Sequence, residues 1–292
     1  PLLTNSGYGI HSRQVFKWLL SRKDIEIKCQ ILPWGNNPWI LSDDYDNGVI
    51  KEITRRVIQD KDLLINKFDE SYQIQLPNEW INISDRDFCI TAGIESDISS
   101  KQFVKDISRF KNIIVPSNFS KETILNSFDK YSLELKSKIK VIPESYPEYF
   151  DYIEKDNNLH ENKNTEIFNF LVFGQISSLD FKGDRKNTFK TILCILDTFK
   201  EEKNVNIIFK TNIGKNNKKN KKFILDELKK FLKINNLSKE NRKCKLYLNY
   251  ENLNENQLYK LYTENNIRAL VSGTRGEGFG LVHLESARLG IP

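Results

Sequence analysis

The chain has 292 residues, of which 39% are hydrophobic and 11% aromatic, with a mean hydropathy of -0.53 and a net charge of +6 from 45 Lys and Arg against 39 Asp and Glu. That length and apolar content argue against disorder and fit two α/β domains, each large enough for its own core. No apolar run approaches the roughly 20 residues that span a bilayer, no secretory leader is visible, and the four cysteines (Cys29, Cys89, Cys194, Cys244) stand too far apart for a zinc or disulfide framework. The positive charge is spread thinly except at Lys215–Lys222, KNNKKNKK, which reads as a solvated loop entering a helix rather than a nucleic-acid surface. The expected protein is cytoplasmic and binds no nucleic acid, with peripheral contact to the inner membrane face left open. The chain has no Met, starts at Pro1 and stops at Gly290-Ile291-Pro292 after a helical pattern, which reads as a fragment truncated at both ends.

In chain order, a glycine turn at Ser6-Gly7-Tyr8-Gly9 leads into an amphipathic helix through about Arg22. A strand is expected at Ile25–Leu32, a Trp- and Pro-containing loop around Pro33, Trp34 and Trp39, and a helix over Ile50–Ile58. Short strands at Tyr72–Leu76 and Phe88–Thr91 precede a helix over Gln102–Phe110, a strand at Asn112–Val115, a helix capped by Ser120, and a strand at Ile139–Ile142. The polar run from Glu144 to Glu166 is linker-like, which predicts a first domain over 1–150, a linker over 151–166 and a second domain over 167–292. The second domain repeats the alternation: strands at Phe168–Phe173, Val205–Lys210, Lys245–Leu248 and Ile267–Val271, and helices over Asn187–Lys200, Lys222–Lys233, Asn256–Glu264 and Phe279–Leu289. Alternation of this kind predicts doubly wound parallel sheets covered on both faces.

The densest chemical signal is the final segment, SGTRGEGFGLVHLESARLGIP. A glycine-rich loop leaves the last strand and runs into a helix, so backbone N–H groups from Gly278 to Leu281 and the positive helix end would face an anion at the carboxyl edge of the sheet. Glu277 in the loop and Glu285 in the helix would address two parts of one polyhydroxyl ligand. In combination, Glu277, Gly278, Phe279, Gly280, Glu285, Ala287 and Gly290-Ile291-Pro292 resemble the Glu, seven residues, Glu motif of retaining glycosyltransferases of family 4, also called group 1. The resemblance implies two Rossmann-like domains facing each other across a cleft, the GT-B fold. It also implies transfer of a hexose-type sugar, without metal, from a nucleoside-diphosphate sugar to a saccharide, lipid or protein acceptor. No cofactor is implied, and the oligomeric state is left open.

On that resemblance Glu277 contacts the hydroxyls of the donor sugar, Glu285 the ribose, and Phe279, Gly280 and Leu281 flank the transferred sugar. Arg185 and Lys186 lie at the mouth of a helix, where a fixed cation pair would hold the diphosphate as it departs. The family's Arg after the preceding strand is Gln175 here, so Arg185 or Lys182 would supply that contact. Gly7 and Gly9 would approach the donor phosphates or the acceptor, with His11 on the acceptor side. Glu95, in the loop where many members carry a His, would face the acceptor. The alternatives are a noncatalytic nucleotide-sugar-binding module, a nucleotide-sugar epimerase, or a glycogen-phosphorylase-like enzyme.

Overall fold

A computed structural model describes residues 1–35, 37, 39–65, 67–151, 166–174, 183–212 and 217–292. The chain divides into two compact units, Pro1–Ser145 with Glu277–Phe279, and Tyr146–Gly276 with Gly280–Pro292. The division at Ser145 falls earlier than residue 150 because Phe150 packs into the second unit, edge-on to Tyr259 and Tyr262. Most of the expected linker, residues 152–165, lies outside the described residues.

The first unit contains α1 (Gly7–Leu20), α2 (Tyr45–Thr54), α3 (Asp60–Ile65), β1 (Phe68–Ile74), β2 (Ser84–Ile90), α4 (Lys101–Ile107), β3 (Asn112–Val115), α5 (Asn118–Lys130) and β4 (Lys138–Val141). Its strands form one parallel sheet in the order β1-β2-β3-β4. Register puts Tyr72 opposite Phe88, and their rings stack at 5.0 Å. Ile113 and Val115 on β3 meet Val104 and Ile107 of α4 and Ile124 and Phe128 of α5 in a core closed by Trp80. A smaller cluster of Leu3, Phe16, Cys29, Val49, Ile50 and Ile53 lies under α1 and α2.

The second unit contains β5 (Phe168–Phe173), α6 (Thr188–Thr198), β6 (Val205–Lys210), α7 (Lys218–Ile234), β7 (Lys245–Asn249), α8 (Glu255–Glu264), β8 (Ile267–Leu270) and α9 (Leu281–Arg288). Its parallel sheet runs β7-β6-β5-β8. Because side chains alternate across a strand, Ile207 and Phe209 join Ile192, Leu196, Ile224 and Leu228 on one face. Leu171 and Ile208 join Tyr259, Leu261 and Tyr262 on the other. Burial on both faces explains why β6 reads as a nearly unbroken apolar run.

Several boundaries correct the expectations from sequence. Ile25–Leu32 forms no strand: Cys29 alone bridges to Val57, and a strand requires a continuous ladder. That bridge also holds Val57 extended, so α2 stops at Thr54 instead of reaching Ile58. Ser117, not Ser120, caps α5, its hydroxyl accepting from the Ser120 N–H at 3.1 Å. Helix α7 begins inside the basic run, where the Asn217 side chain accepts from Asn220 N–H at 2.9 Å, so Lys218–Lys222 are helical rather than loop. Helices α6 and α9 start after Asn187 and Gly280, whose left-handed φ values of 51° and 86° break the helix there.

Candidate functional site

In the second unit the chain steps from β5 outward to β6 and β7, then returns to place β8 on the other side of β5. This reversal is a topological switch point, the place at the carboxyl edge where ligands bind in open parallel sheets. The loops leaving β5 and β8 are tied to each other. Arg185 donates from Nη1 to the Gly276 carbonyl at 2.9 Å, the Arg275 N–H donates to the Arg185 carbonyl at 3.0 Å, and Asn187 Nδ2 donates to the Gly273 carbonyl at 3.1 Å. A Cβ on Gly273 would overlap Thr191 Oγ1, so the close approach requires glycine.

The α6 end of this tie is built by Asp184, 1% exposed, whose Oδ2 accepts from the Thr188 N–H at 2.8 Å. That bond satisfies one of the open donors at the helix start. Lys186 is half-buried beside the end of β5, where a Cβ on Gly174 would lie 3.6 Å from its Cβ and 3.0 Å from Thr188 Oγ1. Gln175 and Lys182 lie outside the described residues.

Beyond the loop, Gly280 turns the chain into α9, and the His283 N–H donates to the Gly280 carbonyl at 2.9 Å. Leu281 follows, half-buried, as the first helical residue. Glu285 is 2% exposed and accepts from the Tyr262 hydroxyl at 2.9 Å. Burial pushes its carboxyl up to about 7, against the lowering effect of the Tyr262 bond. Sequence reading missed Tyr262, which sits in α8 among apolar neighbours and carries no motif.

Glu277, Gly278 and Phe279 are counted with the first unit. The Gly278 carbonyl accepts from the hydroxyls of Ser117 and Ser120, both at 3.3 Å, and a Cβ there would overlap the Ala92 carbonyl oxygen. Glu277 and Phe279 are half-buried.

The remaining candidates of the first unit gather at the carboxyl ends of its strands. Ser6 caps α1, its hydroxyl accepting from the Gly9 N–H at 3.1 Å, and Gly9 is packed so closely that a Cβ would overlap the Thr4 carbonyl. Gly7 is exposed, with open space where a side chain would be. Tyr8, between them, fastens α1 to the end of β2: its hydroxyl pairs with that of Thr91 at 2.8 Å and accepts from the Ala92 N–H at 3.1 Å. Burial raises the Tyr8 phenol to about 12. His11 Nδ1 lies 3.6 Å from Oε1 of Glu144, at the start of the linker-like polar run. Burial lowers His11 to about 4 and raises Glu144 to about 7, so at neutral pH the pair carries at most one charge. Glu95 is half-buried in the loop after β2. No cluster of three or more metal-ligating side chains is present among the described residues.

No known family profile matches the chain, and no curated protein matches its sequence. Among solved structures it resembles one from E. coli described as trehalose-6-phosphate bound with UDP-2-fluoro glucose, at a TM-score of 0.53 and 11% identity, covering 91% of this chain and 72% of that one. Lesser likenesses are to an OtsA apo structure, at a TM-score of 0.44 and 11% identity, and to an α,α-trehalose-phosphate synthase (UDP-forming) from Burkholderia vietnamiensis, at 0.42 and 11%. The chain spans 44% of the length of the former and 43% of the latter, each covering 64% of this chain. At such identity the E. coli likeness shows the fold: a pair of parallel-sheet α/β domains of the GT-B class.

Proposed function

We propose that the chain carries the nucleotide-sugar site of a retaining, metal-independent glycosyltransferase that moves a hexose-type sugar to an acceptor, as in family 4. The observation that supports this most is the cross-tied pair of loops at the β5/β8 switch point, with Arg185 and Lys186 on one and glycines followed by a helix on the other. A departing nucleoside diphosphate gains negative charge at its bridging oxygen. Lys186, at the end of β5, and Arg185 stabilise that charge, with Arg185 also holding Gly276 in place. The sugar and its hydroxyls fall to the segment from Glu277 to Leu281, and Glu285 to the ribose. On this reading the acceptor belongs to the carboxyl edge of the first unit, near His11 and Glu95. The likeness in fold to a structure described as holding a UDP sugar agrees with a nucleotide-sugar donor without specifying it.

The test is calorimetric titration of the chain with UDP, GDP and ADP, followed by incubation with the matching sugar nucleotides and a panel of acceptors while released diphosphate is measured. Micromolar binding of one nucleotide with acceptor-dependent release supports the proposal; no binding of any nucleotide overturns it. One observation favours a second reading. Glu285 is buried and already bonded to Tyr262, which weakens the ribose contact assigned to it and suits a module whose reduced nucleotide-sugar site no longer supports turnover. Binding without release across the panel would select it.

A further inference from the structure

The Trp- and Pro-containing loop found in the sequence has no role in the donor chemistry, yet its Trp34 is placed where a role is expected. The Trp34 ring lies on Tyr8 with centroids 4.4 Å apart and planes tilted by 32°. Tyr8 itself is anchored through its hydroxyl to Thr91 and Ala92, at the carboxyl end of β2. Trp34 is therefore at the carboxyl edge of the first unit's sheet. It is half-buried, with its ring against Tyr8.

Its described neighbours are tied to it and to the rest of the unit. Gly35 takes a left-handed φ of 52°, and the Trp34 carbonyl accepts from both the N–H and the side-chain Nδ2 of Asn37, at 3.1 and 2.9 Å. Farther on, Ile40 N–H donates to the Leu3 carbonyl at 2.6 Å. An indole fixed in this way loses little conformational freedom on binding a ligand.

From this arrangement we infer that Trp34 is the stacking platform for a pyranose ring of a saccharide acceptor, an inference that rests on the glycosyltransferase reading above. The indole face is electron-rich and attracts the polarised C–H groups on one side of a sugar ring. The sugar's hydroxyls need acceptors beside the platform, and Glu95 lies in the same loop after β2 as Ala92, whose N–H donates to the Tyr8 hydroxyl. Glycine at 93 is needed for the fit, because a Cβ there would come within 2.9 Å of that hydroxyl. An aromatic face beside a carboxylate suits a polyhydroxyl ring.

Saturation-transfer NMR on the chain, with methyl glucoside, galactoside, mannoside and N-acetylglucosaminide, maltose, a short-chain phospholipid and a mixed tetrapeptide library as probes, tests the inference directly. The expected result is transfer to ring C–H protons of at least one saccharide, accompanied by a change in Trp fluorescence. In Trp34→Ala the affinity for that saccharide should fall by about tenfold or more, and in Trp34→Phe by about threefold or less, with UDP, GDP and ADP binding unchanged in both. Trp34→Phe and the wild-type NMR signal keep the test valid if Trp34→Ala fails to fold. The inference is overturned if no saccharide binds, if only the phospholipid or peptides bind, or if saccharide affinity is the same in all three proteins. Loss of nucleotide binding in the unaltered chain would instead defeat the donor reading on which it rests.

Discussion

Replacing Glu285 with Gln should change how stability depends on pH, in a direction the structure dictates. The carboxyl is raised from 4.5 to about 7, with burial as the largest cause. Below pH 4.5 the folded and unfolded states both hold the proton, and the group contributes no pH dependence. Between pH 4.5 and 7 the unfolded chain releases the proton while the folded chain keeps it, so stability falls as pH rises, by about 1.4 kcal/mol per pH unit. Above pH 7 the loss is complete at roughly 3 kcal/mol. Gln cannot titrate, so Glu285→Gln should gain stability relative to the wild type by that amount between pH 5 and 8, on top of a constant cost for its buried amide. All four tryptophans (Trp18, Trp34, Trp39 and Trp80) belong to the first unit, so their fluorescence does not report on this site. Hydrogen exchange of the β5 and β8 amides, measured as a function of pH in both proteins, reads the second unit instead. A wild-type-to-variant difference that stays constant from pH 5 to 8 would refute the reasoning, since it would mean the carboxyl titrates normally.

Three further outcomes are expected. Gly9→Ala forces a methyl group against the Thr4 carbonyl and should cost about 2 kcal/mol or more, seen as a lower Tm of the first unit by tryptophan fluorescence. Ser117→Ala removes the α5 cap and should cost about 1 kcal/mol in urea unfolding followed the same way, while Ser117→Asn should restore most of it. Lys186→Ala should lower turnover by about a hundredfold with the nucleotide that binds best while leaving the Tm within a few degrees, and unchanged turnover would remove Lys186 from the mechanism.

The alternation of strands and helices was legible because each buried strand of the second unit is an apolar run: Phe168–Phe173 and Val205–Lys210 were located to the residue. The glycine-rich turn and the α9 helix were legible from composition, since glycines gather where backbone must turn or approach closely. Helix starts were less so. Ser117 and Ser120 are equally good caps by type, and only the chain's path from β3 decides which hydroxyl meets an open N–H. Asn187 gives no sign in sequence that it will take a left-handed conformation.

By itself, then, the order of residues determined the two-sheet architecture and which segments carry glycines, carboxylates and cations, because burial periodicity and local propensity are encoded within a few positions. It could not determine that Ile25–Leu32 lacks a ladder, that Tyr262 closes on Glu285, or that Tyr8 and Glu144 reach the carboxyl edge of the first sheet. Those depend on partners 23 to 133 positions apart, such as Tyr262 with Glu285 and His11 with Glu144. Whether such residues meet, and what burial then does to their protons, is set only when the sheets stack their helices and water is removed.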